Sequence, residues 1–300
     1  MPTASKVVAL VATRFRSDLL ARLLDSLHRQ TVRPVAAVIC DNGPDPATAK
    51  TAQNSKLPCA LVSPGRNLGF GGGLAAGGQT AFEKFPALTH LLVVDDDAVL
   101  APGDLEFLLV SASKHSAGTV APFLVDGSGK LQEVPEPVSW PLARAFRSVG
   151  KNLEKARALA PGGYPMAWCI GPCLLVDRST WLRAGPPRAD MLAFGDDVEF
   201  SLRLSAASPA WAEPSVTVTH DPPSTSRLPP TPDDAHYKKF VILLQNLAFT
   251  CAVSPRPRHL PLYLPGNAKR FFQTFGLTSA NLREVVRRYL RGFFGIPGSG

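Results

Sequence analysis

The chain has 300 residues, 45% of them hydrophobic and 19% charged, with a formal charge of +8; this excludes a disordered chain and provides for a full core. The excess charge is local. From position 256 onward eight Lys and Arg face a single acid, Glu284, giving +7, whereas the first 255 residues, with 24 bases and 23 acids, carry +1. A nearly neutral body with a basic tail excludes a generally cationic nucleic-acid binder.

The apolar run that begins at Val7 is soon interrupted by Arg14 and Arg16. It is too short for a leader or a span, and no other stretch reaches the ~18 apolar residues of a spanning helix. The five cysteines are odd in number and scattered, and the C-x3-C pair Cys169 and Cys173 lacks a second Cys/His pair nearby. They read as free thiols in a reducing compartment, and the expected location is cytoplasmic.

In chain order, VVALVAT over 7–13 reads as a strand buried on both faces. Ser17 is the expected cap of a helix that carries Leu19, Leu20, Leu23, Leu24 and Leu27 and ends near Gln30. Strands are expected over 35–40, stopped by Asp41-Asn42-Gly43-Pro44, and over 59–63. The glycine-rich stretch after Asn67 opens a helix to Lys84, and 90–94 is a fourth strand ending in Asp95-Asp96-Asp97. This alternation predicts an α/β doubly wound sheet, with ligands beyond the carboxyl ends of its strands.

Further on, 104–115 reads as helix and 119–125 as strand, while 126–165, rich in Gly and Pro, reads as an insertion or lid rather than core, with a basic amphipathic patch over 141–159. Strand character returns over 166–176, a helix is expected over 197–206, and 215–219 is the expected final strand. The proline-rich stretch 221–233 reads as a linker, and 235–253 as an apolar helix followed by two short ones. The division is therefore an α/β domain over 1–221 and a basic helical extension over 222–300.

Three adjacent carboxylates after a buried strand form a solvated acidic turn or an acid-bearing helix start, or, if they converge on a cleft, repel one another so that a divalent cation with oxygen ligands is the natural compensation. Alternation along the chain lets Asp95 and Asp97 share a target that Asp96 does not. His220, at the end of the expected last strand, joins them if that strand end reaches the triple aspartate, since imidazole with carboxylates suits manganese as well as magnesium-like sites. Asp196 and Asp197 stand at a helix start, which is N-cap chemistry or, if one faces a cleft, a general base. Gly71-Gly72-Gly73-Leu74-Ala75-Ala76 fits G-x-G-x-x-A, a weak dinucleotide signal. It leaves an NAD-dependent oxidoreductase as one alternative, and a non-catalytic nucleotide-sugar-binding module is another. Acids at both Asp97 and Asp197 argue against the binding module, which has no use for the second.

In this order the motifs resemble the family 2 glycosyltransferases with a GT-A fold, over roughly 7–220. The resemblance rests on Thr13 and Arg14 after the first strand, Asp41 after the second, Asn67-Leu-Gly-Phe-Gly-Gly72, Asp95-Asp96-Asp97, the segment 171–185, and Asp196-Asp197. The triple aspartate, the Asp-Asp pair and the later His resemble bacterial galactofuranosyl- and rhamnosyltransferases.

The resemblance implies an inverting transfer from a nucleotide-diphosphate sugar to a glycan or polyprenyl-linked saccharide in cell-surface polysaccharide synthesis. It implies Thr13, Arg14, Asp41, Asn67, Gly71, Asp95 and Asp96 on the donor side. Mn2+ or Mg2+ would be held by Asp95, Asp97 and His220. Asp197 would be the catalytic base, with Asp196, Trp168 and Gly171 on the acceptor side.

In the extension, Asn267 and Ser279 are the expected caps of the two short helices. The second carries Leu282, Val285, Val286, Tyr289, Leu290 and Phe293 on one face and Arg283, Arg287, Arg288 and Arg291 on the other. Such a helix packs on protein, including a second subunit of a homo-oligomer, or lies on an anionic membrane surface, here the inner face of the plasma membrane.

Overall fold

The computed structural model describes residues 5–191, 195–221, 234–253 and 263–298. The first half of the chain forms Val7–Thr13 (β1), Ser17–His28 (α1), Ala36–Asp41 (β2), Pro46–Asn54 (α2), Cys59–Val62 (β3), Gly69–Lys84 (α3) and His90–Val94 (β4). Ala98–Val99 (β5), Asp104–Lys114 (α4), Thr119–Val125 (β6), Leu131–Glu133 (β7), Glu136–Pro137 (β8), Trp140–Ser148 (α5) and Leu153–Leu159 (α6) follow. The remainder is Tyr164–Trp168 (β9), Cys173–Asp177 (β10), Arg178–Ala184 (α7), Asp196–Ala207 (α8), Ala210–His220 (β11), Asp234–Val253 (α9), Tyr263–Phe275 (α10) and Ser279–Phe293 (α11).

The strands form one mixed sheet in the order β3-β2-β1-β4-β10-β6-β11-β9-β8, with β5 paired to β11 and β7 to β6. Strands β3, β2, β1 and β4 run parallel, β10 is antiparallel to both β4 and β6, and β11 is parallel to β6. The period of two along β1 divides the core. Val7, Ala9 and Val11 pack with Leu20, Leu23, Leu24 and Leu27 of α1, while Val8 and Leu10 face the other way with Leu74 and Ala81 of α3. Two covered faces explain why these strands read as continuous apolar runs.

Helix α3 lies unusually close to the sheet because glycine allows it. A Cβ at Gly77 would come within 2.5 Å of Leu10 Cδ1, and one at Gly73 within 3.1 Å of the Ala12 Cβ. Within the G-x-G-x-x-A stretch, Gly73 thus has a packing cause.

Several expectations need correction. The stretch 166–176 is two strands, β9 and β10, interrupted at 169–172 and placed apart in the sheet. The final strand is longer than expected, because β11 begins at Ala210 and shifts register between Glu213 and Thr217. Its pattern is broken by Glu213 and Pro214, which hides the continuity. The segment 126–165 is not separate from the core: Leu131, Phe146, Ala156 and Tyr164 are buried in the same cluster as Leu10 and Phe123.

The expected caps also move. Arg16 occupies the N-cap position of α1, Asn267 lies inside α10, and Thr278 caps α11, its Oγ1 accepting from Asn281 N at 3.1 Å. The linker expected over 221–233 falls almost wholly outside the described residues. Among the described residues, no helix is long and apolar enough to cross a membrane. All five cysteines are free, with Cys40, Cys169 and Cys173 buried.

The extension packs on itself and on the body. Phe240, Val241 and Leu244 of α9 are buried with Phe271 of α10 and Val285 of α11. Cys251 of α9 packs against the cluster that contains Val198 and Leu202 of α8.

Candidate active site

Strand β4 carries the triple aspartate to the carboxyl end of the parallel strands. There the chain turns: Asp95 N donates to Pro172 O (3.1 Å) and Ala98 N to Asp95 O (3.1 Å). The turn gives the three side chains different partners. Asp96 accepts from Thr13 Oγ1 at 2.7 Å and from Arg16 Nη1 at 3.1 Å. The same Arg16 nitrogen lies 3.4 Å from Asp97 Oδ2.

The other oxygens converge elsewhere. Strand β5 pairs with β11 so that His220 lies opposite Ala98, beside Asp97. His220 Nε2 is 3.4 Å from Asp97 Oδ1, and one ligand atom each from Asp95, Asp97 and His220 lie within 4.8 Å of one another. The other imidazole nitrogen, Nδ1, is 3.1 Å from Gln132 Oε1 on β7. Asp95 Oδ1 and Asp97 Oδ1 are out of solvent without a hydrogen-bond partner. Burial, followed by the fields of Asp97 and Asp96, pushes the Asp95 carboxyl well above the usual carboxylate range. Two orphaned carboxylate oxygens and an imidazole nitrogen fit a divalent cation of the manganese or magnesium kind.

Next to this cluster is a cleft of about 300 Å³ whose walls include Thr13, Arg14, Phe15, Asn67, Asp95 and Asp96. Asp41 is buried at the end of β2 and is occupied locally: Oδ1 accepts from Gly43 N (3.1 Å) and Oδ2 from Asp45 N (3.2 Å). Its neighbour Asn42 lines the cleft instead. The Asn42 amide donates to Gly69 O (2.9 Å) and accepts from Leu68 N (3.2 Å), tying β2 to the start of α3. Asn67 Oδ1 accepts from Gly69 N (3.0 Å).

The second acidic pair sits where two helix starts meet. Gly195, with φ of +88°, turns the chain into α8, a conformation that glycine adopts without a Cβ penalty. Asp196 Oδ2 accepts from Gly71 N in the first turn of α3 at 3.0 Å. Asp197 accepts from Gly171 N at 3.1 Å and from Val198 N at 2.8 Å. Burial is the main cause that raises both carboxyls, and the neighbouring Asp197 adds to it for Asp196, which is pushed up to about 7. Both acids also act on Asp95, so the two clusters share one field. The third acid of this turn, Glu199, is structural: it binds Arg203 at 2.7 Å, and Arg203 also donates to Ala184 O.

Gly71 and Gly171 are both tightly confined. A Cβ at Gly71 would come within 2.6 Å of Arg188 O, and one at Gly171 within 3.1 Å of the Asp197 Cβ and the Phe70 ring. Trp168 is buried with Ala167, Val198 and Leu202 and so packs beside α8.

The sequence reading missed Arg16, Asn42 and Gln132. Arg16 and Asn42 adjoin motif residues, Thr13-Arg14 and Asp41, and that adjacency was their only signal. Gln132 had none, since it lies in the segment read as an insertion.

Residues 9–178 match the family model described as Glycosyl transferase family 2. The chain is 28% identical to N-acetylglucosaminyl-diphospho-decaprenol L-rhamnosyltransferase of Mycobacterium tuberculosis over 252 residues, 76% of this chain and 80% of the relative. It is 28% identical over 204 residues to galactofuranosyltransferase GlfT1 of Mycolicibacterium smegmatis, 66% of this chain and 65% of that one. Among solved structures, S. aureus TarS 1-349 superposes with a TM-score of 0.62 at 14% identity, covering 97% of this chain and 81% of that one. The mannosyltransferase PcManGT from Pyrobaculum calidifontis, in complex with GDP-Man and Mn2+, superposes at 0.55 with 19% identity, over 97% and 81%. These neighbours support the GT-A fold.

Proposed function

From the premise that this chain belongs to glycosyl transferase family 2, we propose that it transfers a sugar from a nucleotide-diphosphate donor, with inversion, to a hydroxyl of a glycan or polyprenyl-linked saccharide. Galactofuranose and rhamnose are the favoured sugars, following the two groups of relatives named above, and the product belongs to cell-surface polysaccharide synthesis. The observation that carries the reading is the convergence of Asp95, Asp97 and His220 at one edge of a cleft walled by Thr13, Arg14 and Asn67.

A Mn2+ or Mg2+ ion held by Asp95, Asp97 and His220 would supply the positive charge that a departing nucleotide diphosphate needs. Thr13 and Arg16 fix Asp96 at the donor cleft, and Arg14 offers a cation at its mouth. Asp41 acts on the donor side by stiffening the turn that presents Asn42 to the ribose or base. Asp197 takes the proton of the acceptor hydroxyl as that oxygen attacks the anomeric carbon from the face opposite the leaving group. Burial raises its carboxyl above the usual range, the direction that makes it a stronger base. Asp196 fastens α8 to α3 through Gly71 and so positions Asp197. Trp168 holds α8 from behind by packing, and Gly171 orients Asp197 by its N–H.

The test is a thermal-shift and transfer panel of nucleotide-diphosphate sugars with Mn2+. Stabilisation and nucleotide release with a galactofuranose or rhamnose donor are expected. Equal, small shifts with every donor and no transfer would overturn the reading.

A further inference from the structure

The last helix presents two apolar faces, and only one is covered. Val285 is buried against α9 and α10, and Tyr289 Oη donates to Leu264 O at 2.5 Å. Leu282, Val286, Leu290 and Phe293 form a second stripe with relative exposures of 48%, 48%, 51% and 47%. Their spacing of four, four and three places them along one side of the helix. Phe294 at 80% and Ile296 at 44% extend the stripe past the helix end.

The charge beside this stripe has one sign. Arg283, Arg287 and Arg291 follow Leu282, Val286 and Leu290 by one position and are exposed. Within 263–298 there are six basic residues and one acid, Glu284. That acid is only 16% exposed and is held by Arg287 and Arg288, both at 2.7 Å. A second copy of the chain pairing through the same stripe would bring the arginine rows of both helices together, which disfavours that occupant. An anionic surface with an apolar interior satisfies both features at once.

We propose that this face of α11, with the Phe294–Ile296 turn, docks on the headgroup region of an anionic lipid bilayer, its apolar stripe inserted and Arg283, Arg287 and Arg291 on the phosphates. Val285 and Tyr289, part of the single apolar face expected from the sequence, belong instead to the attachment of the helix to the body.

The test is co-sedimentation of the full chain, without donor or acceptor, with phosphatidylcholine vesicles that contain or lack phosphatidylglycerol. Binding should require phosphatidylglycerol and weaken with salt. It should fall about ten-fold or more in Leu290→Asp/Phe293→Asp and in Arg283→Glu/Arg291→Glu, positions exposed enough to leave the melting temperature unchanged. Equal binding to neutral vesicles, or variants that sediment like the parent, would overturn the proposal. So would a concentration-dependent dimer, seen by light scattering, that Leu290→Asp abolishes, because a second copy would then own the stripe. No step of this assay depends on glycosyl transfer, so its failure leaves that reading untouched.

Discussion

His220 Nε2 lies 3.4 Å from Asp97 Oδ1, although the two residues are far apart in the chain. The cause is one short strand pair, β5 against β11, whose register sets His220 opposite Ala98. Gln132 Oε1 meets the other ring nitrogen at 3.1 Å, which favours the tautomer that leaves Nε2 with its lone pair toward Asp97. An imidazole held in this way is a better ligand, because its tautomer and orientation are already set.

Gln132→Ala should therefore weaken Mn2+ binding by about 10- to 100-fold, measured by electron paramagnetic resonance of free Mn2+. In a His220→Ala background the same substitution should change affinity little. An unaltered affinity in the single variant would remove Gln132 from the site.

The crowding of carboxylates gives a prediction of opposite sign for stability and binding. Asp95 is raised by burial and by four neighbouring acids. Asp95→Asn should raise the melting temperature of the metal-free protein by about 2–4 °C if about 1 kcal/mol of repulsion and desolvation is relieved. The same variant should lose the stabilisation that Mn2+ gives the parent. A lower metal-free melting temperature would contradict this account of the cluster.

Asp197→Asn should lower turnover by about 10²–10⁴ while donor affinity persists. In the parent, the base must be ionised, so kcat/KM should fall as pH drops through its pKa. Burial raises that pKa, so the fall should begin above the usual carboxylate range. With Asp196 pushed to about 7 beside it, the acid limb belongs to the pair and not to one residue. A pH profile flat down to ordinary carboxylate values would count against Asp197 as base.

Gly71→Ala tests the contact between the two helix starts. The new methyl would meet Arg188 O at 2.6 Å and Asp196 Oδ2 at 3.3 Å, and backbone cannot move aside as a side chain can. A loss of about 1–3 kcal/mol in denaturant unfolding is expected, with kcat falling more than KM changes. Gly129→Ala, whose Cβ meets nothing within 4 Å, controls for glycine replacement as such, with its own cost from a positive φ.

The parallel half of the fold was legible because strands covered on both faces must be apolar throughout, and VVALVAT or the run into Asp95 can hardly be anything else. The apparent strand over 166–176 failed for a related reason: apolar character persists through Cys169–Pro172 although the ladder does not. The long β11 failed in the opposite way, since Glu213 and Pro214 interrupt its pattern at a register shift. At α11 the cap moved by one residue because Thr278 and Ser279 beside the helix start compete for the same role, whereas α1 starts one residue early on Arg16 without a side-chain cap.

The sequence by itself determined the residue types of the site and the carboxyl-terminal strand ends on which they stand, since acids directly after buried strands leave few other places for a ligand. It also determined the family and the charge of the tail. Tertiary structure alone decided which groups meet. Strand register brings His220 to Asp97 and Gln132 to His220, helix packing brings Gly71 to Asp196, and the seating of α11 chooses which apolar side is left to solvent. Those pairings join positions tens to more than a hundred residues apart, and the physical reason they escape a linear reading is that register and helix seating are set by the whole sheet and core, not by the residues that meet.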